Sequence, residues 1–266
     1  MLTIIAQYLA ALFTLNPERK FREVLLDPNL HLIVLATVLL TAAGFIINAF
    51  YDLEKDLVNR PHRTVFDRMI SKNTSLNIYF LLNFTGLGLA WMASFNIFIY
   101  FFIFTVGLWF YSHKLQKIAV LGEVSASLLT VSSFFSIGLY FHHIQWMHIL
   151  YGSWVMLLIF SRELIKGIQD IKGDALFGYN SIPLQLGLAG TKKLLYLLLA
   201  MAFIPLGYVF ISYDAILFRI LMALSGAVMI QSIFLLNRAN SCENISGINF
   251  RLKILIITGV MMIAFL

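Results

Sequence analysis

The sequence predicts an all-α fold, a multi-pass transmembrane helical bundle of about nine helices around a central cavity. Three observations carry that reading. Of the 266 residues, 60% are hydrophobic and only 12% charged, against about 25% charged in an ordinary soluble domain, so there is too little charge to cover a water-facing surface. The apolar residues fall in long continuous runs rather than in the alternating pattern of a membrane β-strand. When those runs are threaded back and forth across a bilayer, fifteen of the nineteen Lys and Arg residues fall on one side, as the positive-inside bias requires. The same composition excludes a disordered chain, a collagen-like repeat and a soluble α/β enzyme. Cys242, the single cysteine, excludes an internal disulfide framework and a cysteine-rich metal site.

The runs lie at about 1–15, 31–50, 76–94, 96–111, 124–141, 148–161, 194–211, 215–236 and 252–266. A helix needs about 20 residues to cross the hydrocarbon, with about 17 as a lower bound; the shorter runs reach it by recruiting the polar residues at their ends. The first run is short, but it has no basic leader and no cleavage site before Asn16-Pro17-Glu18-Arg19, so a membrane helix is expected rather than a signal peptide. The second runs into INAFYDLEKDLVNRP. The third carries Gly86 and Gly88, which close helix packing explains better than a phosphate loop. The fourth ends at Tyr111 and leads to Lys114 and Lys117. His142, His143 and His148 follow the fifth; with no other ligand cluster on their side, they read as interfacial histidines. The sixth runs into SRELIKGIQDIKGD, and the last three are plain apolar segments. No polar stretch is long enough for a soluble domain, so residues 1–266 are read as a single membrane domain.

Charge placement orients the chain. The even-numbered connections hold Lys55, Arg60, Arg63, Arg68 and Lys72, then Lys114 and Lys117, then Arg162, Lys166, Lys172, Lys192 and Lys193, then Arg238, Arg251 and Lys253. Only Arg19, Lys20, Arg22 and Arg219 fall on the other side. The even connections are therefore cytoplasmic, with the N-terminus in the cytoplasm and the C-terminus outside. An integral protein of the inner, cytoplasmic membrane is expected, in contact with membrane lipids. Topology accounts for the net charge of +6, so no nucleic-acid partner is expected, and nothing implies an obligate protein partner.

The acidic residues number only thirteen, and two groups of them match. Asn48, Asp52 and Asp56 follow one another at four-residue spacing at the cytoplasmic end of the second run, which stacks them on one helix face. Asp170 and Asp174 repeat the spacing at the cytoplasmic end of the sixth. Taken singly, each is an ordinary interfacial carboxylate. As two matched groups at one membrane face they point to a site, because acids in membrane segments face a bundle interior or water. Hard oxygen ligands without His or Cys suit Mg²⁺, which typically combines one or two carboxylates with water and substrate phosphates. The interleaved bases Arg60, Arg63, Lys114, Lys117, Arg162 and Lys166 read either as topology signals or as partners of a bound polyanion.

At these residues the sequence strongly resembles the UbiA superfamily of intramembrane prenyltransferases. The family's first motif, Asn-Asp-x-x-Asp-x-x-x-Asp followed by Asn-Lys/Arg-Pro, stands here as Asn48-Ala49-Phe50-Tyr51-Asp52-Leu53-Glu54-Lys55-Asp56, then Asn59-Arg60-Pro61. The second, approximately Arg-Glu-x-x-Lys-Asp-x-x-Asp-x-x-Gly-Asp, stands as Arg162 through Asp174. Tyr111 to Lys117 is similar to the family's Tyr-x-x-x-Leu-Lys loop. Ala49 replaces the usual first Asp, Gly167 and Gln169 occupy positions often acidic, Gln116 stands where Lys is common, and the usual Arg-Pro-x-Asn opening is absent. The resemblance implies an enzyme in which Asn48, Asp52, Asp56, Asp170 and Asp174 hold Mg²⁺ and serve catalysis. Arg60, Arg63, Tyr111, Lys114, Lys117, Arg162 and Lys166 would bind the diphosphate or an acceptor anion. The implied partners are an isoprenyl diphosphate and a lipophilic acceptor.

The Arg-Glu-x-x-Lys start of the second motif resembles the branch that prenylates geranylgeranylglyceryl phosphate, which makes that the first expectation for the acceptor. Two alternatives stand beside it. One is a quinone-pathway enzyme acting on 4-hydroxybenzoate or dihydroxynaphthoate; the other is a transporter or cation channel with the acids along its path.

Overall fold

The structure is a computed structural model that describes residues 2–15, 20–59, 61, 70–238 and 242–266. The chain begins with α1 (Leu2–Leu9), which continues into a π-helical turn (Ala10–Thr14), and a short α2 (Phe21–Leu25). Then come α3 (Pro28–Asn59), α4 (Lys72–Ala93), α5 (Phe95–His113) with a 3₁₀ turn (Leu115–Lys117), α6 (Leu121–Tyr140) and α7 (Trp146–Leu176). The remainder is α8 (Ile182–Ser212), α9 (Ile216–Arg238), α10 (Cys242–Met262) and a final 3₁₀ turn (Ile263–Phe265). Eight helices among the described residues are long and apolar enough to cross a membrane, and the shorter apolar helix Leu2–Thr14 makes the ninth. The expected bundle is what forms.

Local chemistry sets the helix ends. Pro28 opens α3 with its φ already helical, and Asp27 Oδ1 accepts the Asn29 N–H at 3.0 Å, filling an otherwise orphaned donor. Ser71 caps α4 by accepting from Thr74 N at 3.1 Å. Ser94, in extended backbone, ends α4 and starts α5. His148 Nδ1 accepts the Gln145 N–H at 2.8 Å at the start of α7. That bond gives His148 a capping role, in keeping with the interfacial reading of the histidines.

The packing is that of a membrane bundle. Trp154, Phe101, Phe218, Leu30 and Ile33 are fully buried, while Phe45, Phe84, Ile211 and Ile216 stand exposed on the outside. An exposed apolar belt of this extent marks a lipid-facing surface rather than a soluble one. Polar side chains work between helices: Gln7 of α1 is fully buried, its amide nitrogen 2.8 Å from Thr37 Oγ1, 2.9 Å from the Ser133 carbonyl and 3.1 Å from Ser136 Oγ. That fastens α1 to α3 and α6 in a setting where no water competes.

Three helices overrun their apolar runs. With 32 and 31 residues, α3 and α7 are each about 47 Å long at 1.5 Å per residue, against roughly 30 Å of hydrocarbon, and α8 counts 31 residues across a break. The excess of α3 and α7 lies at their C-terminal ends, on one face of the bundle. In α8 the excess lies at the start, where Gly187 takes φ 64° and ψ −179°, a conformation that only glycine adopts freely. The break separates a short segment at that same face from the spanning part of the helix.

Candidate functional site

Five segments meet at the face where α3 and α7 overhang: those two ends, the turn after α5, the start of α6, and the connection into α8. They line an open polar cavity with about 700 Å³ of empty space, its mouth to solvent included. Asn48, Asp52 and Asp56 of α3 and Asp170 and Asp174 of α7 all line it, so all five residues singled out as a metal and catalytic set come together. The register of the two helices is locked by Asn59, whose Oδ1 accepts the Gly173 N–H at 2.9 Å. A Cβ at Gly173 would fall 2.4 Å from Asn59 Nδ2, so a larger residue there would push the Asn59 side chain out of this bond.

Asp52 is the centre of the network. Its Oδ2 accepts from Asn48 Nδ2 at 3.0 Å; its Oδ1 accepts from Gln116 Nε2 at 2.9 Å and from the Tyr179 hydroxyl at 2.6 Å. Burial above all, and then the charges of Asp52, Asp174 and Asp56, push the Tyr179 phenol well above its ordinary pKa. At neutral pH it is therefore a donor to the carboxylate. Gln116, at the position where the resembling family commonly has Lys, also donates to the Ser112 carbonyl at 2.8 Å; it orients Asp52 rather than adding charge.

The connections are pinned beside this centre. Asn180 N donates to the Lys117 carbonyl at 2.9 Å, and Ile182 N donates to Glu123 Oε1 at 3.2 Å, which ties the start of α8 to α6. Gly167 is explained here too, since a Cβ would meet Pro183 of α8 at 3.0 Å. Any side chain at that position would have to push Pro183 back by a few tenths of an ångström.

The basic residues divide. Lys166 and Tyr111 line the cavity. Glu163 Oε2 holds Lys166 at 2.6 Å and its Oε1 holds Arg162 at 3.0 Å, so Arg162 reaches the site through Glu163. Lys117 stands at the rim, 5.4 Å from the Tyr179 ring centre. Lys114 is exposed and does not line the cavity. Arg60 and Arg63 lie outside the described residues. Sequence reasoning missed Lys55, Glu123 and Tyr179, which also line the wall. Lys55 was legible, three residues after Asp52 and so on its face; Tyr179, 127 residues away, was not.

Among the described residues no three His, Cys, Asp or Glu side chains converge tightly enough to hold a cation by themselves. Mg²⁺ does not need such a cage, because one or two carboxylates with water and substrate phosphates suffice. The donor set fits that mode: two carboxylates on each of two facing helices, and a buried Asn48 Oδ1 with no partner. A second cavity of about 660 Å³ has mostly apolar walls, with Phe134, Val155 and Val260 among them. The linings of the two adjoin on α6 and α7. Ala126 and Glu163 line the polar cavity and Thr130 and Ile159 the apolar one, each pair four residues apart on one helix, or about 6 Å. The arrangement suits a ligand with an anionic head and a long apolar tail.

The model of the UbiA prenyltransferase family matches residues 3–254. The digeranylgeranylglyceryl phosphate synthase of Saccharolobus solfataricus is 29% identical over 232 residues, covering 86% of this chain and 80% of that protein. That of Sulfurisphaera tokodaii is 27% identical over 183 residues, 66% of each. Among solved structures, a UbiA homolog from Archaeoglobus fulgidus bound to GPP and Mg²⁺ superposes with a TM-score of 0.69 at 17% identity, covering 99% of this chain and 95% of that one. This likeness is one of fold.

Proposed function

The chain belongs to the UbiA prenyltransferase family, and from that premise we propose that it moves an isoprenyl group from an isoprenyl diphosphate to the hydroxyl of geranylgeranylglyceryl phosphate. It is a prenyltransferase, an integral multi-pass membrane protein; the acceptor, the metal and the roles of single residues are the proposal. One observation carries it: a polar cavity walled by two facing carboxylate pairs lies about one helical turn from an apolar one. The names of the two synthases support the acceptor, and the Mg²⁺ and GPP in the Archaeoglobus homolog support the metal and donor.

Asp52 and Asp56 on α3 and Asp170 and Asp174 on α7 would hold Mg²⁺, which when bound supplies the positive charge a departing diphosphate needs. Tyr179, Gln116 and Asn48 keep Asp52 oriented for that task. Lys166 and Tyr111 stand where diphosphate oxygens accept hydrogen bonds, and Lys117 waits at the rim. The apolar cavity aligns the isoprenyl chain and excludes water from its reactive carbon. The bond from that carbon to the diphosphate oxygen breaks, a bond to the acceptor oxygen forms, and the acceptor hydroxyl's proton passes to the released diphosphate. The whole chain acts as one domain. The fifteen-to-four partition of basic residues supports a site on the cytoplasmic side. A transport path would join both faces of the membrane; here the carboxylates gather at one.

The test is transfer by purified protein given geranylgeranyl diphosphate, Mg²⁺ and each acceptor in parallel. The expected product is the digeranylgeranyl ether of glyceryl phosphate, lost when the metal is chelated and regained on adding Mg²⁺. Transfer to 4-hydroxybenzoate or dihydroxynaphthoate alone would refute the acceptor. Chelator-insensitive transfer would refute the metal.

A further inference from the structure

The carboxylate site carries a cation of its own. Lys55 follows Asp52 by three residues, and its ammonium lies 3.5 Å from Asp52 Oδ1 and 3.8 Å from Asp174 Oδ1. It spans the gap between α3 and α7. It also sits 4.0 Å above the centre of the Tyr179 ring, within cation–π range, and its side chain is only 12% exposed. Both ionic distances are longer than the roughly 2.7–2.9 Å of a tight charged hydrogen bond, so Lys55 bridges the two carboxylates without being clamped by either.

Asp52 takes three hydrogen-bond donors, from Asn48, Gln116 and Tyr179, and the Lys55 ammonium as a fourth neighbour, which together occupy the roughly four lone-pair directions of a carboxylate. A divalent cation approaching Asp52 and Asp174 must therefore displace one of these groups. Lys55 is the most loosely held of them and the only one that also repels the newcomer. Even at water's dielectric constant, a single and a double positive charge about 5 Å apart repel enough to shift an equilibrium about tenfold.

We infer that Lys55 is a tethered cation that holds the Asp52–Asp174 gap in the metal-free protein and competes with Mg²⁺ for it. The metal then loads well only together with a diphosphate, whose oxygens take over the ammonium. This rests on the proposed metal role of the two carboxylate pairs, so the experiment reads metal binding and not turnover. Calorimetric titration of the purified full chain with Mg²⁺ alone, and with Mg²⁺ plus inorganic pyrophosphate, compares wild type with Lys55→Met, Lys55→Gln and Lys55→Arg. For Mg²⁺ alone, the two neutral variants are expected to bind at least tenfold more tightly than wild type, and Lys55→Arg within threefold of it. With pyrophosphate, the wild type should recover most of that difference. Lys55→Gln guards against misfolding, because its amide can still donate to Asp52 as Gln116 does. Unchanged or weaker Mg²⁺ affinity in the folded neutral variants overturns the inference alone. No Mg²⁺ binding by wild type even with pyrophosphate overturns the metal reading as well.

Discussion

Asp52 gathers more of the site than any other side chain, and its neighbours separate ligand from support. Asp52→Asn or Asp170→Asn should lower turnover by about 10²–10³-fold or more, on the scale of losing one group that stabilises developing charge. Asp170→Asn, at a half-buried position of the polar cavity, should leave the melting temperature unchanged, whereas Asp52→Asn should lower it, because an amide cannot accept from Asn48, Gln116 and Tyr179 together. Tyr179→Phe leaves both carboxylates in place and removes one orienting bond, so a 10–100-fold loss in metal affinity is expected, in the range of outer-sphere partners. Equal losses in the Tyr179 and Asp52 variants, read by turnover and by Mg²⁺ titration, would erase that distinction. The same residues show where sequence reading stops. Asn48, Asp52 and Asp56 declare a shared face by spacing alone. Gln116 and Tyr179 reach Asp52 across 64 and 127 residues, and no local pattern encodes such a meeting.

At the scale of the helix, the apolar runs mark where the bilayer is, not where each element ends. Helix α7 continues well past its run, because Glu163, Lys166, Asp170 and Asp174 turn inward to a polar cavity and so remain compatible with a packed helix. Helix α1 is the reverse case, short and held by the buried Gln7, with Tyr8 adding a bond to His31 at 2.8 Å. Gln7→Ala would strip its contacts to Thr37, Ser133 and Ser136, which by the measured range for such bonds in membranes costs about 0.6–1.7 kcal/mol. Thermal melting in detergent should show the loss. Leu2 and Ala6 of α1 line the apolar cavity, so the Michaelis constant for the long-chain donor should rise while that for magnesium stays put. An unchanged melting temperature would mean that the Gln7 bonds contribute nothing to holding α1. The buried role of Gln7 was not legible, because a lone glutamine in an apolar run reads equally as a lipid-facing defect.

Across the molecule, the number and order of spanning helices were legible because hydrocarbon thickness imposes a length on every apolar run. Their neighbours were not, since segments apolar all round show no preferred face. Sidedness can be tested on the intact chain. In a Cys242→Ser background, Lys114→Cys and Asp214→Cys each place one thiol at an exposed position. Lys114 follows α5 at the carboxylate face, whereas Asp214 lies between α8 and α9 at the opposite one. A membrane-impermeant thiol reagent should label Lys114→Cys only in inverted vesicles and Asp214→Cys only in right-side-out ones. Labelling of both from one side would break the back-and-forth threading and with it the charge argument. The reverse pattern would leave the fold intact but turn the carboxylate cavity outward, away from a cytoplasmic supply of isoprenyl diphosphate. The expected pattern puts the phosphate-binding end of the cavity in the cytoplasm and its apolar end in the bilayer, so that each end of the donor meets the medium that suits it.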